Sequence, residues 1–191
     1  PISFSLDNSF SEVNLSDQEF SKIKIGWLSD MNGNYQYDPE IIEICNKQLN
    51  NLEKHKVIIE NLKPKIDAHK LWNCWGTLRA KSIYEDIITM NIKDVNEMTP
   101  QAIWEYNKGI KLTDEDVKSA LNSRIELSND VNSLFGDFDF LALPSQQSFP
   151  FDKNLKYPEK INDSPMDTYH RWIEIHIFAS LFYLPSISIP I

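Results

Sequence analysis

Residues 23–62 have the sequence IKIGWLSDMNGNYQYDPEIIEICNKQLNNLEKHKVIIENL, in which strand and helix patterns alternate. Ile23 to Leu28 alternates apolar residues with polar or small ones, which is typical of a strand. Asp38-Pro39 is a helix start with proline at the first helical position, and the apolar residues that follow at helical spacing predict a helix over 39–54: Ile41, Ile42, Cys45, Leu49 and Leu52. The β-branched run from His55 to Leu62 predicts a second strand. This segment therefore indicates an α/β unit.

Strand and helix patterns continue along the rest of the chain. They predict a helix over 66–90, a short helix that starts at Thr99-Pro100 and is closed by Gly109, a helix from the capping box at Thr113 to about Phe135, a strand over 138–143, a long loop to Asp163, a helix from Ser164 to Tyr183, and a last strand in SISIPI. This order predicts the α/β class, with a mixed sheet covered by helices. We expect a single partial domain over residues 1–191, in which residues 1–21 form an extended arm.

The composition limits the function classes that this chain can belong to. A length of 191 residues with 41% hydrophobic and 25% charged residues suits one folded domain. The net charge of −9 has the wrong sign for a nucleic-acid partner. The most apolar run is shorter than the roughly 20 residues of a membrane span, so no membrane partner is expected. Cys45 and Cys74 stand in apolar helical patterns and are predicted to be buried and reduced, which favours the cytoplasm.

The sequence also argues against metal sites and glycine-rich catalytic loops. Only five glycines are present, and none forms the consecutive pattern of a P-loop, a Rossmann fingerprint or a nucleophile elbow. The acidic and amide residues from Asp30 to Asp38 alternate as in a calcium loop, but the glycine stands at the fourth place and Ile41 at the twelfth, so they predict a polar turn. No zinc spacing occurs. We therefore expect no metal and no cofactor, and no residue is assigned as catalytic.

Two segments are candidates for a substrate site. On the predicted helix over 165–183, four polar residues are spaced along one face: Asp167, His170, Arg171 and Glu174. They could orient a substrate, but an ordinary salt-bridge network is the interpretation that base rates favour. The loop PSQQSFPF (144–151) follows a strand end, where sites of α/β sheets collect, although loop packing by its two phenylalanines is the alternative. Trp72, Trp75 and Trp104 are predicted to belong to the core.

Taken together, several segments resemble the amidase-signature family from about Ile23 to the last residue: KIGWLSD, LWNCWGTLR, IWEYNKG, FDFLALPSQQSFPF and MDTYHRWIEIHIFASLFYLPSISIP. The resemblance is strongest to bacterial amidases and to the glutaminase subunit of tRNA-dependent amidotransferases. It implies part of an amidase-signature fold and a hydrolase of carboxylic amides, in which a serine nucleophile acts with a second serine and a lysine. Within this resemblance, four residues are implied to line or support the substrate cavity: Gln146, Asp167, Tyr169 and His170.

The glycine- and serine-rich signature of that family and its upstream lysine have no counterpart in this sequence. We therefore expect this chain to be the middle to C-terminal portion of a longer amidase. The sequence begins at Pro1 without an initiator methionine, and SISIPI stops where family members continue. Such a fragment is expected to be inactive alone, to contribute to binding a small amide substrate in the parent enzyme, and to self-associate through cut sheet edges. The alternatives are a non-catalytic interaction module and a subunit of an amidotransferase-like complex.

Overall fold

A computed structural model of the chain describes residues 21–191. Its main sheet has three parallel strands in the order β2-β1-β3: β1 (Lys24–Trp27), β2 (Ile58–Asn61) and β3 (Phe140–Ala142). A separate antiparallel pair consists of β4 (Lys160–Ile161) and β5 (Ser164–Pro165). The predicted α/β class is confirmed, and the antiparallel strands lie outside the main sheet. The arm predicted for residues 1–21 lies, except for Ser21, outside the described residues.

Five α-helices lie within the described part of the chain: α1 (Pro39–Glu53), α2 (Ala68–Thr89), α3 (Pro100–Gly109), α4 (Asp114–Leu134) and α5 (Ile177–Leu181). Two short 3₁₀ helices accompany them, at Val95–Glu97 and Arg171–His176. The long helix α2 packs against both α3 and α4. The helices predicted over 39–54, 66–90, 99–109 and 113–135 are confirmed, as are the three strands of the main sheet. No helix within residues 21–191 combines the length and the apolar character needed to cross a membrane.

The helix ends show which local signals act as predicted. The capping box is confirmed, since Thr113 Oγ1 accepts from the Asp116 N–H at 3.2 Å and Asp116 Oδ2 accepts from the Thr113 N–H at 2.8 Å. Asp38 precedes α1, but its side chain makes no cap and instead accepts from the Phe149 N–H at 2.7 Å. Gly109 ends α3 as predicted, but close packing is what requires it, because a Cβ there would lie 2.5 Å from the Ala80 carbonyl oxygen.

Two predicted elements are wrong. In place of a helix from Ser164 to Tyr183, residues 164–165 form β5, and a kinked 3₁₀ helix with non-helical torsions at Ile173 leads into α5. The physical reason is a competing acceptor, because the Ile175 N–H donates to the Gln147 side chain at 3.1 Å instead of to its own helical turn. The predicted strand SISIPI is not formed, and its side chains at Ile187 and Ile189 are 85% and 67% exposed.

The core lies between the sheet and the helices. Its largest fully buried apolar side chains come from the loop after β1 and from the helices: Leu28, Met31, Leu71, Leu127, Val131 and Phe178. Cys45 and Cys74 are free and buried, as predicted, whereas the cytoplasmic location inferred from them stays a prediction. Trp72 and Trp75 pack against this core. The core assignment of Trp104 is wrong, because its side chain is 43% exposed.

The contribution of α4 to this core can be measured. Leu127 is 1% exposed, whereas Ile125 on the same helix is 62% exposed. We expect Leu127→Ala to lower the free energy of unfolding by about 2–5 kcal/mol, since it removes buried methyl groups and leaves a cavity. Urea denaturation measures the change. Ile125→Ala is the matched control, with an expected change below about 0.5 kcal/mol; equal losses from both variants would contradict the packing of α4 described above.

Candidate functional site

The loops that follow β1 and β3 meet at the carboxyl edge of the sheet, and Gln147 joins them. This side chain is fully buried. Its Nε2 donates to the Gln36 carbonyl at 3.1 Å, and its Oε1 accepts from the Ile175 N–H at 3.1 Å. Its backbone carbonyl also accepts from the Asp38 N–H at 2.9 Å. Three segments that are distant in sequence are therefore held together by one residue.

A buried carboxylate lies next to an imidazole where α3 meets the start of the second 3₁₀ helix. Glu105 on α3 is only 3% exposed, and its Oε1 lies 2.8 Å from Nε of Arg79 on α2 and 3.3 Å from Nε2 of His170. Burial by itself would raise the pKa of Glu105, but the hydrogen bonds from His170 and Arg79 outweigh it and hold the pKa below its ordinary value. Glu105 is therefore a charged, fixed acceptor at neutral pH.

The second ring nitrogen of His170 faces a different environment. The contact with Glu105 assigns the proton to Nε2, which leaves Nδ1 as an acceptor in the neutral ring. Nδ1 is buried, and no protein atom within residues 21–191 forms a hydrogen bond to it. Three aromatic rings surround the imidazole, with centroids at 5.2 Å for Trp75, 5.5 Å for Tyr169 and 5.9 Å for Trp104. An acceptor enclosed by apolar rings is a specific place for a hydrogen-bond donor.

A small cavity of about 70 Å³ adjoins this imidazole. It lies between α2, the second 3₁₀ helix and α5, and six residues line it: Trp75, His170, Ile173, His176, Ile177 and Ser180. Nε2 of His176 lies 2.7 Å from the Ser145 carbonyl oxygen, which ties the cavity to the loop after β3. The cavity is mostly apolar and has room for a small polar group, such as an amide or two waters at about 30 Å³ each.

Asp167 belongs to a neighbouring ion-pair network. The Arg171 Nε lies 3.1 Å from Asp167 Oδ1, and its Nη1 lies 2.8 Å from Glu174 Oε2. The guanidinium also covers the Trp72 ring at 3.6 Å. Burial raises the pKa of Glu174, although the hydrogen bond from Arg171 opposes this. The salt-bridge interpretation of the polar stripe therefore describes these three residues, even though the helix that suggested it does not form.

The structure brings together some of the residues selected from the sequence and separates others. Tyr169 and His170 lie in edge contact, whereas Asp167 belongs to the neighbouring ion-pair network of Arg171. Gln146 is exposed on the loop after β3, while its neighbour Gln147 takes the buried position. Sequence reasoning missed Gln147, Glu105 and Arg79. For Glu105 a signal existed, because it stands one helical turn before Gly109 and shares its buried face.

The segment after β1, which was predicted to be a polar turn, is a loop that is partly buried. Met31, Asn32 and Gly33 have positive φ, and the Asp30 carboxylate accepts from the Gly33 N–H at 3.0 Å. Further along, the hydroxyl groups of Tyr35 and Tyr37 are buried without a hydrogen-bond partner in the described part of the chain, and burial raises the pKa of both.

Across residues 21–191, no three His, Cys, Asp or Glu side chains are grouped so that they could hold a metal ion.

The charge of Glu105 predicts a pH-dependent effect on stability. Because its pKa is lowered in the folded state, its stabilising contribution is present above the ordinary carboxyl range and is lost as pH falls through the folded pKa. Glu105→Gln is expected to cost about 1–3 kcal/mol at pH 7, since Arg79 and His170 lose a charged acceptor. The difference from the wild-type chain should shrink as the pH falls below 4, measured by urea denaturation at each pH.

Glu43 provides a matched control for this measurement. It is exposed on α1, so Glu43→Gln should leave the free energy of unfolding nearly unchanged at every pH. A difference for Glu105→Gln that stays constant down to pH 3 would show that the carboxylate is not held in its charged form by these partners.

No protein-family model matches this sequence, and no curated protein matches it. Solved structures do match. A bacterial aryl acylamidase of the amidase signature enzymes superposes with a TM-score of 0.72 at 14% identity, over 90% of this chain and 38% of its own. A structure described as an amidase superposes with a TM-score of 0.72 at 15% identity, over 84% of this chain and 36% of its own. A 6-aminohexanoate cyclic dimer hydrolase, solved with substrate, superposes with a TM-score of 0.69 at 9% identity, over 94% of this chain and 42% of its own.

These matches concern the fold, since all three identities are at or below 15%. The chain spans between 36% and 42% of the length of these three solved chains. The match nevertheless includes between 84% and 94% of the present chain. The chain therefore has the fold of part of an amidase signature enzyme.

Proposed function

We propose that this chain is part of an amide hydrolase, in which the residues around Glu105 and His170 bind and position the substrate. The observation that carries the proposal is the buried Glu105–His170 pair beside a small aromatic cavity. It occurs in a chain whose fold is shared with an aryl acylamidase and with a structure described as an amidase. The proposal extends from those proteins only their common reaction class, the cleavage of a carboxylic amide.

The chemistry of the pair suits an amide group. Glu105 accepts from Nε2 of His170 and so fixes both the ring orientation and the position of the proton. Nδ1 is then available to accept from the N–H of an amide or from the amine that leaves after cleavage. The rings of Trp75 and Tyr169 exclude water around that contact, which strengthens it. In this proposal His170 contacts the substrate directly and orients its amide group.

We place the nucleophile in another part of a longer protein. No serine hydroxyl between residues 22 and 191 donates to a histidine or lysine side chain. The serine hydroxyl donors found there donate to backbone carbonyls: Ser133, Ser148 and Ser180. The sequence also has no glycine- and serine-rich loop that could hold an oxyanion. The limited share of the solved amidase chains that this chain spans agrees with this division.

The other candidate residues take secondary roles in the same proposal. Tyr169 supports the His170 ring from its edge. Asp167 acts through Arg171, because its carboxylate holds the Arg171 guanidinium over the Trp72 ring. Gln146 is exposed beside Ser145, whose carbonyl contacts His176 of the cavity wall. We propose that Gln146 contacts the substrate from the solvent side.

The first test is an activity assay. The purified 191-residue chain is expected to show no turnover of simple aliphatic and aromatic amides above buffer, because it lacks an activated nucleophile. The longer protein encoded with it is expected to hydrolyse an amide.

Within that protein, His170→Ala should raise KM about tenfold, which corresponds to one lost hydrogen bond of about 1.4 kcal/mol. Steady-state kinetics measure both parameters.

His69 provides the control for this variant, because it is an exposed histidine on α2. His69→Ala should leave both KM and kcat unchanged, and His170→Asn should restore part of the loss through its side-chain carbonyl. Turnover by the isolated chain would contradict the placement of the nucleophile. A longer protein without amidase activity would overturn the proposed function itself.

We also propose that the isolated chain self-associates. Within the described residues, β2 and β3 are the outer strands of the sheet, and each has one side without a partner strand. Ile58 on β2 and Phe140 on β3 are 41% and 57% exposed, so both edges present apolar side chains. Unprotected edges of this kind pair with another chain.

Light scattering over a range of concentrations tests self-association. The average mass of the wild-type chain is expected to rise with concentration, and Phe140→Lys should reduce the rise, since a lysine on an edge strand opposes pairing. Ile125→Lys on α4 introduces the same charge away from the strand edge and serves as the control. A wild-type chain that stays monomeric throughout would contradict the proposal.

A further inference from the structure

The carboxyl end of α3 presents a second, larger groove, separate from the cavity at His170. Its volume is about 310 Å³, and five residues line it: Trp104, Asn107, Lys108, Lys111 and Leu112. Four of these stand at helical spacings of three and four, so they share one face of α3 and the turn that continues it. This volume is at the lower end of the range of about 300–1,000 Å³ that small-molecule sites occupy.

The charges in this groove are unlike those of the whole chain. The chain carries a net charge of −9, yet the groove contains two lysines and no carboxylate. The ion pairs found within residues 21–191 do not include Lys108 or Lys111. The nearest acidic group to act on Lys108 is Glu105, which is already bound to Arg79 and His170. In the part of the chain that the structure describes, neither ammonium group therefore forms an ion pair of its own.

Lys108 is held in this position by packing. Its Nζ lies 5.3 Å from the centroid of the Trp104 ring, and a Cβ on Gly76 of α2 would lie 2.9 Å from the same nitrogen. The side chain is half-buried, and burial lowers its pKa. A lysine in the last turn of a helix also interacts favourably with the helix dipole, but that interaction does not require the ammonium to lie against another helix and over an indole.

We propose that this groove binds a small aromatic carboxylate, with its ring on the exposed face of Trp104 and its carboxylate between Lys108 and Lys111. The indole is 43% exposed and offers a flat apolar surface. The two ammonium groups and the Asn107 amide supply donors for both carboxylate oxygens. The ring and the charge act together, so neither a neutral aromatic compound nor an aliphatic carboxylate satisfies the whole groove. This proposal does not depend on amide hydrolysis.

Benzoate is the probe, followed by NMR of the indole N–H signal of Trp104 in the wild-type chain. The signal, assigned by its loss in Trp104→Leu, is expected to shift and saturate below about 20 mM, the range of a millimolar site. Benzyl alcohol and acetate should each bind at least about tenfold more weakly, since each lacks one of the two interactions. Raising the salt concentration should weaken benzoate binding.

Two charge-removing variants and one control complete the test. Lys108→Gln should weaken benzoate about tenfold, and Lys111→Gln, at an exposed position that carries no packing, about threefold. Lys118→Gln, at an exposed position on α4, should change nothing. The proposal is overturned if benzoate gives no saturable shift, if it shifts the other indoles and leaves that of Trp104 in place, or if Lys111→Gln binds as tightly as the wild-type chain.

Discussion

The side-chain amide of Gln147 is the interaction on which the arrangement of the site depends. It is fully buried and satisfied on both of its polar atoms, by the loop after β1 and by the backbone of the second 3₁₀ helix. A buried amide left without partners costs about 1–3 kcal/mol, so these hydrogen bonds favour one path for each segment. By taking the Ile175 N–H, Gln147 also prevents the regular helix that the local sequence favours. His170 consequently lies at the entrance of a short irregular segment and faces α3.

Two charged networks fill the space between that segment and the helices. In the first network, Glu105 forms hydrogen bonds with Arg79 and His170. In the second, Arg171 pairs with Asp167 and Glu174, and its guanidinium lies over the Trp72 ring. Each buried carboxylate is paired with an arginine, which is the condition under which burial of charge is tolerated. His170 is the member that combines a charged partner on one nitrogen with an open acceptor on the other. We propose that this asymmetry suits the pair to binding a substrate.

The two openings beside this pair differ in chemistry. The small cavity is mostly apolar and is lined in part by His170, whereas the groove along α3 contains two lysines and an indole. Trp104 connects them, since its ring lies 5.9 Å from that of His170 and also forms the floor under Lys108. The indole of Trp104 is 43% exposed.

Local physics in the sequence determined the α/β class, the positions of the three strands of the main sheet and the four longer helices, whereas the parallel pairing of those strands came from the structure. Hydrophobic period, the proline at position 39 and the Thr113–Asp116 capping box act within a few residues, so they can be recognised without the rest of the molecule. Only the tertiary structure decided the course of residues 164–183, the choice of Gln147 over Gln146, and the pairing of Glu105 with His170. In each case the partner lies at least 28 residues away. A hydrogen bond across such a separation outweighs the local signals that a helix start or an apolar alternation provides, and no spacing in the sequence encodes it.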